Sequence, residues 1–166
     1  MLSNQEIADD LLAQYGDKIA GFEEHHEIMS VFTTVETAKP MIAYLYNHPT
    51  FKFQYLTDLA GIHYPDNTGG ELSVVYHLHS WTHNHRIMIR IFVPIEAPDV
   101  PTIVDLHKSA NWMEREAYDF FGINFVGHPN LIRILNIEEM DYFPMRKEFP
   151  LEDATRQDKI DALFGR

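Results

Sequence analysis

A chain of 166 residues suits one domain that buries roughly 70% of its unfolded surface. It has no cysteine, which excludes disulfides, thiol nucleophiles, cysteine zinc sites and thiolate-held iron–sulfur clusters. A formal charge of −12 with histidine neutral leaves no basic footprint for nucleic acid or anionic lipid.

The opening MLSNQEIADDLL lacks the basic region and apolar run of a signal peptide. No stretch reaches the ~20 apolar residues needed to span a bilayer, so a soluble, cytosolic chain is expected. Ser3 and Glu6 form a capping-box pattern. Ile7, Leu11, Leu12 and Tyr15 then recur at helical spacing, and Gly16 closes the helix. The β-branched and aromatic segment from Ile19 to Thr34 predicts one or two strands. A second helix is predicted from near Thr37, with Pro40 in its first turn and a stripe of Ala38, Met41, Ile42 and Leu45.

LTDLAGIHY reads as a strand, ended by the turn signal PDNTGG. Two period-two runs follow. In the first, Leu72, Val74, Tyr76 and Leu78 alternate with more polar residues; in the second, Ile87, Ile89, Ile91 and Val93 do so. Together they predict an antiparallel hairpin over about 71–94. Its tip, HLHSWTHNH, holds His77, His79, His83 and His85. Imidazole is the commonest metal ligand, so these four are the candidate metal site. Strand parity argues against convergence: His77 and His79 project away from the apolar face, whereas His83 and His85 share its parity. A four-histidine site would need a bulge near Trp81 to turn one pair round. The favoured reading is a set of polar residues at a hairpin end. Beyond it, Pro94, Pro98 and Pro101 mark an irregular link, and Thr102 is placed to cap a short helix running to Lys108.

The segment SANWMEREAYDFFGINFVGHPNLIR, residues 109–133, predicts a helix and then a sharp turn. Ala110, Met113, Ala117, Phe120 and Phe121 form the buried stripe. Asn111, Glu114, Arg115 and Tyr118 form a polar face with Asp119 at its edge, and Arg115 and Asp119 stand at i, i+4. Gly122 ends the helix, and Gly127 of GHP supplies a positive φ. No GxGxxG or Walker loop is present.

EREAYDFFGINFVGHPNLIRIL, residues 114–135, resembles the signature of the 30 kDa subunit family of respiratory complex I, the NADH-quinone oxidoreductase. YHLHS, LTDLAGIHYP and FPMRKEFPLED extend the resemblance over about residues 50–153. The chain departs from the family pattern at His63, Phe143 and Met145, where an acidic residue, histidine and leucine are frequent.

The resemblance implies an α+β fold, a mixed sheet covered by helices, as a single domain over 1–135; the aperiodic C-terminal segment 136–166 is read as an irregular, extended arm that packs on partner subunits. It implies a non-catalytic subunit in the peripheral arm of a proton-translocating NADH:quinone oxidoreductase. The subunit would lie on the cytoplasmic side of the bacterial inner membrane, against the 49 kDa-type subunit and neighbouring Fe–S subunits. No cofactor is expected in this chain, FMN and Fe–S clusters lying in other subunits. Glu114, Arg115 and Asp119 are read as an ion-pair network fixing the helix, with a proton relay as the alternative. Arg133, Arg146 and Lys147 are candidates for pairing with acidic groups, within the chain or across the interface, and His128 is a further structural or interface candidate. Three rival readings stand: the equivalent subunit of a membrane-bound hydrogenase or ferredoxin-linked complex, a histidine-rich metal-binding module, and a small autonomous enzyme.

Overall fold

A computed structural model describes residues 2–149. Helix α1 (Asn4–Tyr15) starts from a complete capping box, in which the Ser3 side chain accepts from the Glu6 amide and the Glu6 carboxylate accepts from the Ser3 amide. Ile7 and Leu11 are fully buried, whereas Leu12, expected in the stripe, is largely exposed. Strands β1 (Ile19–His25) and β2 (Ile28–Thr33) form an antiparallel hairpin, so the Ile19–Thr34 segment holds two strands. Helix α2 (Val35–Asn47) begins earlier than expected because the Thr34 carbonyl accepts from both Thr37 and Ala38 amides. Pro40 therefore lies inside the helix rather than in its first turn.

Strands β3 (Tyr55–His63), β4 (Leu72–Ser80) and β5 (His85–Val93) follow in antiparallel succession. The sheet order is β1-β2-β5-β4-β3, and β2 meets β5 in parallel. The register opposes Leu72 to Val93, Val74 to Ile91, Tyr76 to Ile89 and Leu78 to Ile87. These pairs, with Met29 and Val31 of β2, make the apolar face, and all are buried. The fold is α+β, as the family resemblance implies.

Two short strands, β6 (Asp99–Pro101) and β7 (Asn124–Val126), pair in parallel as a separate sheet. They frame helix α3 (Ala110–Phe121). Between β6 and α3 the chain makes turns, not the helix expected from Thr102 to Lys108. The Thr102 hydroxyl does accept from the Val104 amide at 3.2 Å, but it donates to α3 instead of starting a new helix. Helix α3 packs on β3 at Gly61, where a Cβ would lie 2.6 Å from the Phe121 ring. Only glycine admits that approach.

Candidate functional site

Two carboxylates of the polar face predicted for α3 are buried. Glu114 and Asp119 are both 0% exposed. Burying a carboxylate is costly unless donors replace its water, and the two groups are supplied very differently.

Asp119 is surrounded by donors. One carboxylate oxygen, Oδ2, accepts from the successive amides of Ile134 (3.1 Å), Leu135 (2.8 Å) and Asn136 (2.9 Å). The other accepts from Arg133 at 2.7 Å and the Asn136 side chain at 3.1 Å. Consecutive amides converging on one oxygen form an anion nest. Burial pushes this carboxyl up, but the amides of Asn136 and Leu135, Arg133 and the Ile134 amide outweigh it and hold the group far below the usual carboxylate range.

Arg133 is the second centre. Its guanidinium donates to the Asp119 carboxylate and carbonyl, and to the carbonyls of Met140 and Tyr142. The ion partner of Asp119 is thus Arg133, not Arg115 four residues earlier. Arg115 turns outward over the Trp112 ring at 5.3 Å and donates to the carbonyls of Ile132 and Arg133. His128 joins the same frame. Its Nδ1 accepts from the Asn130 amide, which leaves the proton on Nε2, and Nε2 donates to the Asn111 carbonyl at 3.1 Å.

Glu114 has two donors, the Thr102 hydroxyl at 2.5 Å and the Ile103 amide at 2.8 Å. Burial dominates, against these donors, and the carboxyl is pushed up to about 7. Two carboxylates on one helix therefore have opposite acidities.

The first part of the arm folds back on the domain. The Met145 amide donates to the Phe120 carbonyl, and Arg146 Nε donates to the Phe121 carbonyl at 2.8 Å. The Phe143 ring lies beneath two guanidiniums, Arg133 at 5.1 Å and Arg146 at 4.7 Å. Arg146 is held by a carbonyl and a ring rather than a carboxylate. Lys147 contributes its amide, which donates to Nδ1 of buried His63 at 2.9 Å. An imidazole nitrogen accepts there, as a carboxylate would. These bonds tie parts of the 136–149 segment to the domain; residues 150–166 lie outside the described part. Gly122 is required twice, by φ +78° and because a Cβ would lie 2.5 Å from Phe143.

With Glu114, Asp119 and Arg133 bonded internally, this end of the molecule also presents apolar side chains outward. Trp112, Val126, Ile132, Leu135 and Ile137 are between 42% and 67% exposed.

His77, His79 and His85 diverge as strand parity requires, and His83 lies in the turn between the strands. His77 and His79 oppose Met88 and Arg86 on the face away from the core, while His85 opposes Ser80 on the core side. Each of three has its own partner: His79 meets Asn84, His83 the Thr50 carbonyl, and His85 Asn4 of α1. Among the described residues no three His, Asp or Glu side chains are placed to share a metal ion.

The profile of the respiratory-chain NADH dehydrogenase 30 kDa subunit matches residues 31–155. The chain belongs to this family. Relatives named as the C subunit of NADH-quinone oxidoreductase include one from a Nocardioides species, 39% identical over 88% of this chain and 60% of its own length. Another, from Dinoroseobacter shibae, is 40% identical over 91% of this chain and 69% of its own. The chain thus spans well short of the whole of these relatives. Among solved structures, the trypsin-resistant fragment (1-134) of Nqo5 is 32% identical with a TM-score of 0.64, covering 76% of this chain and 98% of the fragment. A chain of the membrane-bound sulfane sulfur reductase, an archaeal respiratory membrane complex, is 22% identical with a TM-score of 0.73, over 89% of this chain and 85% of that one. It shares the fold.

Thr102, Ile103, Asn136 and His63 complete the network but were not singled out from the sequence as its members. Thr102 carried a signal, a hydroxyl after a proline, that was read as a helix cap. The donors from Ile103, Leu135 and Asn136 are backbone amides and leave no mark on residue type.

Proposed function

We propose that this chain is a non-redox scaffold subunit in the peripheral arm of a proton-translocating NADH:quinone oxidoreductase. One observation carries the reading beyond family membership: Glu114, Asp119 and Arg133 turn inward, while Trp112, Ile132, Leu135 and Ile137 stay exposed. Glu114, Asp119 and Arg133 are used to fix α3, the 102–104 turn and the 133–146 segment. Catalytic carboxylates face a cleft and a substrate; these face amides of their own chain. Trp112, Ile132, Leu135 and Ile137 are left as a partner surface, and aromatic anchors of this kind dominate stable interfaces.

The proposed partner is the 49 kDa-type subunit, with the Fe–S subunits beside it. A cysteine-free chain offers no thiolates for a cluster; that FMN and Fe–S clusters lie in other subunits is what the family resemblance implies. Among the described residues no helix is long and apolar enough to cross a membrane. The proposed location is the cytoplasmic face of the bacterial inner membrane, held through the complex. The fold shared with a sulfane sulfur reductase complex supports a second reading, the equivalent subunit of a related membrane-bound complex with another electron donor.

Mild-detergent purification of the tagged chain from its own membranes, with mass spectrometry of what accompanies it, tests both. Recovery with a 49 kDa-type subunit and integral membrane subunits is expected, and loss of that set in a Leu135→Glu/Ile137→Glu variant. NADH- and flavin-binding subunits in the set select the first reading over the second. Recovery of the chain alone overturns both.

A further inference from the structure

We propose that Glu114 is a buried proton-binding site that exchanges with solvent through the Thr102 hydroxyl. The inference is independent of which complex the chain joins.

Glu114 has no contact with solvent. Thr102 is 7% exposed and lines a cleft of about 360 Å³ with Lys39, Val104, Lys108, Gly127 and Pro129. Thr102 is therefore the residue between the cleft and the carboxylate, its hydroxyl 2.5 Å from Oε2. Its oxygen also accepts from the Val104 amide, which holds it in place. Proton uptake is a balanced exchange. The hydroxyl proton passes to Glu114 Oε2, and the threonine oxygen takes a proton from water in the cleft. Release runs in reverse. Oε1 keeps the Ile103 amide throughout.

The surroundings disfavour a permanent charge. Tyr76 of β4 is fully buried, and its own ionisation is opposed by burial and then by Glu114. From α2, Lys39 faces the site, but its ammonium is 2.9 Å from Asp105 and largely neutralised by it. His107, on the same segment, is 5% exposed; its Nε2 has no hydrogen-bond partner among the described residues, and burial pushes its imidazole down, towards the neutral form. Lys108 sits in the cleft wall. Among the described residues no cation is dedicated to Glu114, in contrast to Asp119 with Arg133. Burial accordingly places the Glu114 carboxyl near neutrality, at about 7.

The test is a pH titration of glutamate side-chain carboxyl resonances in the full chain, labelled with ¹³C-glutamate, between pH 4 and 9. One carboxyl is expected to titrate near pH 7, and Glu114→Gln should remove it. If every glutamate carboxyl titrates below about pH 5.5, the proposal is overturned without any variant. Thr102→Val removes a donor to the charged form and should weaken acid dissociation roughly tenfold, whereas Thr102→Ser should keep the wild-type midpoint. A wild-type midpoint in the valine variant, or a valine-like shift in the serine variant, would overturn the role of the hydroxyl.

Discussion

Asp119→Asn is expected to destabilise the domain by about 4 kcal/mol. The substitution is nearly isosteric, so packing is preserved and only the donor–acceptor balance changes. Both carboxylate oxygens face donors: three amides on one, Arg133 and the Asn136 side chain on the other. Whichever way the new amide is turned, its NH₂ meets donors. The Arg133 side chain, 8% exposed, loses its counter-charge. Removing one partner of a buried ion pair costs about 3–5 kcal/mol. The amides at 134–136 recover part of the loss by turning to water, because Leu135 is exposed. Urea unfolding of the full chain, followed by tryptophan fluorescence, measures the effect. With a slope of about 2 kcal/mol per M, the midpoint should fall by roughly 2 M. A fall of less than about 0.5 M would show that the Asp119 nest does not hold the 133–136 segment to α3.

Stability should also depend on pH in two opposing senses. The Glu114 carboxyl is raised from 4.5 to about 7, so its contribution is complete below pH 4.5 and is lost as pH rises through 7, about 3 kcal/mol in all. Asp119 is lowered from 3.8, so its contribution is present above that pH and is lost as pH falls further. Thermal unfolding from pH 3 to 8 should therefore peak in mild acid, and Glu114→Gln should flatten the neutral side; an unchanged slope there would contradict the assignment. Arg133→Lys keeps the charge but cannot reach Asp119, Met140 and Tyr142 together, and should cost about 2–3 kcal/mol by urea unfolding. Gly122→Ala meets both the positive φ and the Phe143 ring; a loss of about 2 kcal/mol and faster amide exchange at Met145 and Arg146 are expected.

The elements that were legible in the sequence are those whose code is periodic. The β4–β5 hairpin follows from two alternating runs, and the divergence of His77 and His79 from His85 follows from their parity. The α1 cap is a local pattern, so it too was readable. The burial of Glu114 and Asp119 was not. Their spacing on α3 looks like a solvated face, and the groups that make burial tolerable lie at 102–103 and 133–136. Most of those donors are peptide N–H groups, which every residue but proline carries. The β6–β7 pair was invisible for a related reason: three residues per strand, one of them Pro101, give no period. Thr102 was misread because a hydroxyl that can cap a helix can equally bond a carboxylate across space.

The parallel ladder between β2 and β5 has a kinetic consequence. Every other neighbour in the five-stranded sheet is joined by a turn or loop and can zip from its own connection. Ser30 and Met88, which face each other across this ladder, are 58 residues apart. Closing so long a segment costs entropy before any contact repays it. Each side of the ladder is therefore expected to assemble early, and their joining to limit the rate. Substitutions at Val31 or Ile89, and at the β4–β5 tip that forms before them, should slow refolding more than they speed unfolding.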